Sequence, residues 1–428
     1  MTSTVIRKRL LILGPLGPPH ISDQVEALVE RGFEVCVGGT ATEALDAGEI
    51  TIDGVRLELM PDYDRSTPIG MAKTVRWVRR LLGEFRPDLV QAHWIPGFGF
   101  AAALARARPL ALTAWGSDVY RAGAIQARAN RFALRRADLV LADSEDLLAR
   151  CRELGAPPQR CEPIQWGVDL SLFSPPQNGD RAALRERLGL GDGPVILSPR
   201  SLMAVYNIPT ILDSFRLVGE ALPDAQLVLK HMGFEGIELP PFPHPERVHL
   251  VGSVPYAEMA DYYRAADVCV SVTSSDSSPR SIWEAMASGL PCVLSDLPWV
   301  EEIVAPAGAA LTVAVGDPSA TADALQRVLL DPKLAARLRE RGLAVAAGLD
   351  REAQMDRLAS LLDQIGAEPS AREERSERPL ASRSPRDGPI PPDRRGSTPR
   401  VSPDRPLTRP AKPGNPPGSI DPGSGGGR

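Results

Sequence analysis

Two carboxylates eight positions apart, Asp276 and Glu284, bracket a helix start in the segment Ser274-Ser-Asp-Ser-Ser-Pro-Arg-Ser-Ile-Trp-Glu284-Ala-Met-Ala-Ser-Gly289-Leu-Pro-Cys-Val-Leu-Ser-Asp296. A helix start presents free backbone N–H groups and the positive end of the peptide dipole, which suits a phosphate. Carboxylates accept hydrogen bonds from sugar hydroxyls. The Gly289-Leu-Pro291 break closes the helix and leads into an apolar strand. Phosphate and polyol recognition within one segment point to a nucleotide-sugar. The same residues also suit a plain loop–helix–strand unit with a serine cap, so the other chemistry-bearing positions have to be weighed with it.

Several of these lie where an apolar run gives way to a loop. Gly14-Pro-Leu-Gly17-Pro-Pro-His20 follows the first run, and glycines let a ligand approach the backbone closely. His93 ends the run Leu89–Ala92, Asp118 follows Leu110–Thr113 in Trp115-Gly-Ser-Asp118, Arg200 follows Val195–Ser198, and Lys230 follows Leu227–Leu229. Each has a structural alternative: a strand-to-helix turn for the glycines, a satisfied core histidine for His93, a helix cap for Ser117 and Asp118.

The elements that must position these residues alternate regularly. Apolar runs at Leu10–Leu13, Glu34–Val37, Leu89–Ala92, Leu110–Thr113 and Leu139–Ala142 form one series. Val195–Ser198, Leu227–Leu229, Val248–Val251, Val268–Val272, Cys292–Ser295 and Ala310–Val315 form another. Helical patterns separate most of them. This βαβα rhythm predicts an α/β protein with parallel sheets covered on both faces. The turn-rich Pro175-Pro176-Gln-Asn-Gly-Asp180 places a boundary between domains 1–175 and 176–365. From Gly366 to Arg428 the chain is rich in Pro, Arg, Ser and Gly and poor in apolar residues, which predicts a disordered tail. Two doubly wound domains facing each other leave a cleft at the carboxyl ends of their strands, where the residues above are expected.

The order of these motifs resembles that of the retaining glycosyltransferases of family 4, which have the GT-B fold of two facing Rossmann-like domains. The acidic-x7-acidic pattern of Asp276 and Glu284, the strand ending at His93, the Trp115-Gly-Ser-Asp118 segment found in one branch, the strand leading to Arg200, and Val251-Gly-Ser-Val-Pro-Tyr256 with Tyr262-Tyr263-Arg264 carry the resemblance. It covers roughly residues 10–365. It implies sugar transfer from a nucleoside-diphosphate donor, with retention and without a metal. Carried over, Glu284 takes the ribose, Asp276 the transferred sugar, Arg200 the diphosphate, and Gly14, Gly17 and His20 line the acceptor side. His93 and Asp118 complete the expected catalytic set. The chain departs from the pattern in five places, one being Lys230-His-Met-Gly233 where a G-x-G-P type loop is usual. Asp276 replaces a Glu, and Ser277-Ser-Pro-Arg280 replaces a glycine-rich loop. Trp115 replaces a His, and Tyr206 or Asn207 stands where a second phosphate-binding cation, a Lys, is usual. Arg280, at the helix start with Ser281, and Lys230 are the candidates to compensate. The tyrosines of 256–263 are expected to pack on a helix surface. The alternatives are a non-catalytic nucleotide-sugar-binding homologue and a nucleotide-sugar epimerase on the same fold.

Composition narrows the partners. A net charge of −5 argues against a general nucleic-acid binder. No run of about 18 apolar residues suggests a membrane span, and Leu10–Leu13 after Arg7-Lys-Arg9 reads as a buried strand rather than a leader. The five cysteines form no C-x-x-C pair and the five histidines lack metal-ligand spacing, so no metal and no cofactor beyond the donor are expected, in a cytoplasmic setting. Basic faces at Lys73, Arg76 and Arg80 and at Arg128, Arg131 and Arg135 make a peripheral contact with the inner membrane an expectation, with a lipid-linked, carbohydrate or small-molecule acceptor.

Overall fold

The computed structural model describes residues 8–16, 19–41, 54–60, 67–177, 180–230 and 244–367. Gly17, most of the expected tail and the segment 231–243 after Lys230 lie outside them, as does the side chain of His20. Residues 366 and 367 finish the last helix.

Two parallel sheets form. The first contains β1 (Arg9–Leu16), β2 (Glu34–Ala41), β3 (Arg56–Leu59), β4 (Leu89–His93), β5 (Leu110–Thr113), β6 (Leu139–Ala142) and β7 (Cys161–Pro163), in the order 3-2-1-4-5-6-7. The second contains β8 (Val195–Ser198), β9 (Gln226–Lys230), β10 (Val248–Val251), β11 (Val268–Ser271), β12 (Cys292–Ser295) and β13 (Ala310–Val313), in the order 10-9-8-11-12-13. The apolar runs all became strands. Two strands, β3 and β7, had no counterpart among the expected runs. Both are sheet edges, where one strand flank lacks a neighbour. Arg56-Leu-Glu-Leu59 is half polar and Cys161-Glu-Pro163 is short and ends in proline, so neither carries a buried-strand signature.

Alternation along the strands divides the core. Leu11 and Leu13 of β1 face one apolar layer while Leu10 and Ile12 face the other. Cys269 of β11 and its neighbours Val268 and Val270 are divided in the same way in the second sheet. All five cysteines are free thiols in these layers. Helices cover both faces. The helix Pro68–Phe85 shows how: Thr67 caps it by accepting from the Gly70 amide at 3.0 Å, Pro68 fits the first turn, and Val75, Trp77, Val78, Leu81 and Phe85 form its buried stripe. Trp77 belongs to that stripe, leaving Lys73, Arg76 and Arg80 on the outer face.

The C-terminal helix departs from the expected domain division. Arg351–Ala367 crosses back, and its Met355, Leu358, Ala359 and Leu362 are buried in the same layer as Leu10 and Ile12 of β1. The chain therefore passes between the lobes twice, and the two passages are bonded to each other. Val168 N–H donates to Leu349 O at 2.8 Å, and Arg351 N–H to Val168 O at 3.0 Å. Gly167 has φ +73°, and a Cβ there would lie 2.5 Å from the Arg351 Cα, so only glycine fits the crossing.

Candidate active site

In each sheet the strand order reverses beside the first strand of the lobe: between β1 and β4 in one, between β8 and β11 in the other. Crevices at such reversals receive ligands at the carboxyl ends of the strands. Gly14 lies near the end of β1 and His93 ends β4. Arg200 follows β8 and Asp276 follows β11. Topology thus gathers residues that sequence alone could only place one by one.

Arg200 and Asp276 form a buried ion pair, Nη2 to Oδ2 at 2.6 Å, with side chains 11% and 15% exposed. Arg200 also donates from Nη1 to Ser281 Oγ at 2.9 Å and lies over the Tyr206 ring at 4.3 Å. Its Nε and the Ser201 hydroxyl are buried with no hydrogen-bond partner among the described residues. Burial pushes the Asp276 carboxyl above its ordinary range, and Arg200 with the Ser277 amide opposes that shift. Tyr206, one of the two residues expected where a lysine is usual, supplies a ring for Arg200 and no charge.

Arg280 opens the helix Arg280–Ala287, whose N-cap, Pro279, has no side-chain acceptor for the first-turn amides. One turn on, Glu284 is 5% exposed. It accepts from Tyr256 Oη at 2.6 Å and Tyr263 Oη at 3.0 Å, and Arg280 Nε lies 3.4 Å from it. Burial raises the Glu284 carboxyl, while Arg280 and the two hydroxyls counter it. The tyrosines are therefore not surface packing, as the sequence suggested, but the partners of a buried acid. They lie 28 and 21 residues before it, too far for any local pattern to reveal. Arg280 also reaches the other lobe, pairing with Asp23 at 2.5 Å, and lies over the Tyr256 ring. Lys230 ends β9 and donates to Gly252 O at 3.0 Å; burial lowers its pKa.

On the first lobe, the Trp115 indole donates to His93 Nδ1 at 3.1 Å, which assigns the neutral Nε2–H tautomer to that ring. Gly14 makes room for it: a Cβ there would meet the His93 Cβ at 3.2 Å. Trp115 thus holds His93. Asp118 is buried and accepts from the Trp115 and Ile95 amides at 2.9 and 3.0 Å, fixing the two loops that follow β5 and β4. The short helix Ser117–Tyr120 begins at Gly116 without a side-chain cap, so Asp118 braces loops rather than capping the helix.

Four contacts that the sequence did not suggest join the lobes across the cleft. Ser277 donates to Asp143, and its oxygen lies 2.9 Å from Ser144 Oγ. Ser278 donates to Gln165 Oε1 at 2.6 Å. Glu302 accepts from the Glu145 amide at 3.0 Å, at the start of the helix Glu145–Glu153 that Ser144 caps. The Arg280–Asp23 pair is the fourth. Among the described residues no cluster of His, Cys, Asp or Glu is placed to hold a metal, and no helix is long and apolar enough to cross a membrane. Of the basic face, Arg80 is engaged by Glu58 and Glu84 at 3.0 and 3.2 Å.

Comparison with known proteins bears on both lobes. Residues 18–167 match the glycosyl transferase 4-like domain and residues 180–345 match the glycosyl transferases group 1 domain. D-inositol 3-phosphate glycosyltransferase 1 of Catenulispora acidiphila is 27% identical over 66% of this chain and 75% of its own length. For two further relatives of that name, from Xylanimonas cellulosilytica and Thermobifida fusca, the matched region is about half of their length. Sucrose-phosphate synthase from Thermosynechococcus elongatus superposes with a TM-score of 0.73 at 22% identity, covering 84% of this chain and 99% of that one. HepE of Anabaena, in complex with UDP-glucose, superposes with a TM-score of 0.68 at 20% identity over 83% and 99%.

Proposed function

Because this chain is a GT-B glycosyltransferase of the group 1 kind, we propose that its cleft takes a nucleoside-diphosphate sugar and passes the sugar, with retention and without a metal, to a hydroxyl acceptor. The observation that carries this reading is the Arg200–Asp276–Ser281 cluster at the strand-order reversal of the second lobe. A buried guanidinium beside an uncapped helix start is the arrangement that stabilises charge growing on a leaving diphosphate. Arg280 on the same helix start supplies the second cation that the missing lysine would have given. Glu284, held rigid by two tyrosines, accepts the ribose hydroxyls, and Asp276 orients the transferred sugar. The acceptor's hydroxyl bonds to the sugar carbon as the bond from that carbon to the diphosphate breaks, and its proton passes to an oxygen of the departing diphosphate, which serves as the base. On the acceptor side, Gly14 and His93 stand at the carboxyl ends of β1 and β4 in the first lobe. The inositol phosphate in the first relative's name supports a small polyol or its phosphate ester as the first acceptor class to try.

The test is nucleoside diphosphate release from a panel of nucleotide-sugars, with and without polyol and polyol-phosphate acceptors. Glu284→Ala should keep the fold and weaken donor binding about 100-fold, the order expected when hydrogen bonds to a charged acceptor are lost. Unchanged donor affinity in that variant would rule out the ribose assignment.

A further inference from the structure

The loop between Asp276 and Arg280 carries two serines, Ser277 and Ser278, and both have partners on the other lobe. Ser278 sits at φ +44°, a left-handed backbone that glycine adopts freely and other residues rarely. What holds it there is a pair of bonds: its hydroxyl donates to Gln165 Oε1 and accepts from Trp283 Nε1 at 3.2 Å. Gln165 in turn donates its amide to the Asp143 carbonyl. Ser277 donates to the Asp143 carboxyl and meets Ser144 Oγ, while a Cβ on Gly116 would lie 3.2 Å from the Ser277 Cβ. Asp143, Ser144 and Gln165 belong to the first lobe, at the ends of β6 and β7. Ser277 and Ser278 belong to the second and follow Asp276 directly. The ring of bonds is thus a cross-cleft clamp on the loop that carries Asp276.

We propose that Asp143 is a positioning residue for sugar transfer: it grips Ser277 from across the cleft and so sets the Asp276 loop only when the lobes are closed. This deepens the function proposed above and rests on it for the role of Asp276. Asp143 is 6% exposed where the two lobes meet. The groups facing it are mostly acidic. They are Asp118 and Tyr120 from the helix Ser117–Tyr120, and Asp276 from the clamped loop with Arg200 behind it. Glu145 and Asp146 follow it on its own helix start, where Glu302 of the second lobe also docks. Burial, then the negative charges of Asp276 and Asp118, push its carboxyl well above the ordinary range, against the pull of the Ser277 bond. Opening the cleft returns it to water and to an ordinary carboxylate. Closure therefore takes up a proton. It is fully favoured below the ordinary carboxylate pKa and weakens as pH rises toward the closed-state value, by up to about tenfold per pH unit from this one group.

The experiment follows closure directly. All five native cysteines are buried, so Ile125→Cys on the first lobe and Leu330→Cys on the second, at positions 81% and 60% exposed, accept a dye pair selectively for energy transfer. Asp143→Ala and Ser277→Ala should each lower the closed population at least about tenfold. The double variant should lose less than the sum of the two, because both remove the Ser277–Asp143 contact, and Ser277→Ala alone also removes the one with Ser144. Asp143→Asn keeps the acceptor oxygen and cannot ionise. It should restore closure relative to Asp143→Ala and lower the pH slope below that of the unsubstituted protein, which retains the contributions of Asp276 and Glu284. Where turnover is measurable, Asp143→Ala should lower kcat more than it raises donor KM. A closed population unmoved by Asp143→Ala, or an Asp143→Asn slope equal to the original, overturns the proposal. The energy-transfer readout needs neither donor nor turnover. Failure of the nucleotide-sugar panel with a working clamp therefore refutes the donor reading alone, and the reverse outcome refutes the clamp alone.

Discussion

Glu284 and the Asp276 loop occupy one short stretch of chain, yet different parts of the molecule hold them. Glu284 is fixed by Tyr256, Tyr263 and Arg280, all from its own lobe. The serines after Asp276 are fixed by Asp143, Ser144 and Gln165 of the opposite lobe. The contrast separates two tasks. An anchor built within one lobe does not depend on the other, so under the function proposed above the nucleoside end of a donor meets a preformed site. An anchor borrowed across the cleft exists only while the lobes touch, so under the same proposal the reacting end is set when water is being excluded. Arg200 stands between the two, bonded within its lobe to Asp276 and Ser281 yet attached to the clamped loop.

The largest effect is expected at Arg200. Arg200→Met leaves Asp276 buried without its counter-charge, which costs about 3–5 kcal/mol in pairs of this kind. A calorimetric Tm lowered by about 6–12 °C is expected, with turnover lost. Adding Asp276→Asn should recover most of the Tm and none of the turnover, which separates the structural debt from the catalytic one. If the double variant stays as unstable as the single one, the pair is not the source of the loss.

A smaller effect is expected at Tyr263, the fully buried partner of Glu284. Tyr263→Phe removes one donor from a buried carboxylate, a change of about 1–3 kcal/mol. Donor KM should rise about tenfold with kcat nearly constant, since this anchor belongs to binding rather than closure. A fall in kcat with KM unchanged would contradict the division drawn here.

The smallest effect is expected at Asp23, which meets Arg280 across the cleft. With Asp23 26% exposed, the pair is partly screened, and Asp23→Asn should change kcat/KM by no more than about threefold. Raising the salt to about 1 M should erase the difference. A larger, salt-independent loss would move this contact into the same class as the clamp.

Much of the fold was legible because burial writes itself into a strand. Val195–Ser198, Leu110–Thr113 and Cys292–Ser295 are continuous apolar runs and formed strands with those bounds. The edge strands β3 and β7 escaped because an edge needs no such run. The C-terminal helix escaped for another reason: the apolar stripe of Met355, Leu358 and Leu362 says that it must be covered, not by which lobe. At the site, Arg200, Asp276, Glu284 and Arg280 were visible as residue types at chemical spacings. The partnerships of Tyr256, Tyr263, Asp23, Asp143 and Gln165 were not. Each reaches its partner from a distant segment, and nothing in a linear pattern encodes that distance.

The sequence by itself determined the kind of molecule: two series of parallel strands, a break between them, and a carboxylate-flanked helix start fit for phosphate and sugar. Periodicity and residue chemistry are local, so they survive in one dimension. Which carboxylate is served by its own lobe, which loop is gripped from across the cleft, and why serine tolerates a glycine's backbone at position 278 were decided only by tertiary structure. Those properties depend on distances between segments that are remote in sequence, 21 residues for Tyr263 and Glu284 and 113 for Ser278 and Gln165, and only the folded chain sets them.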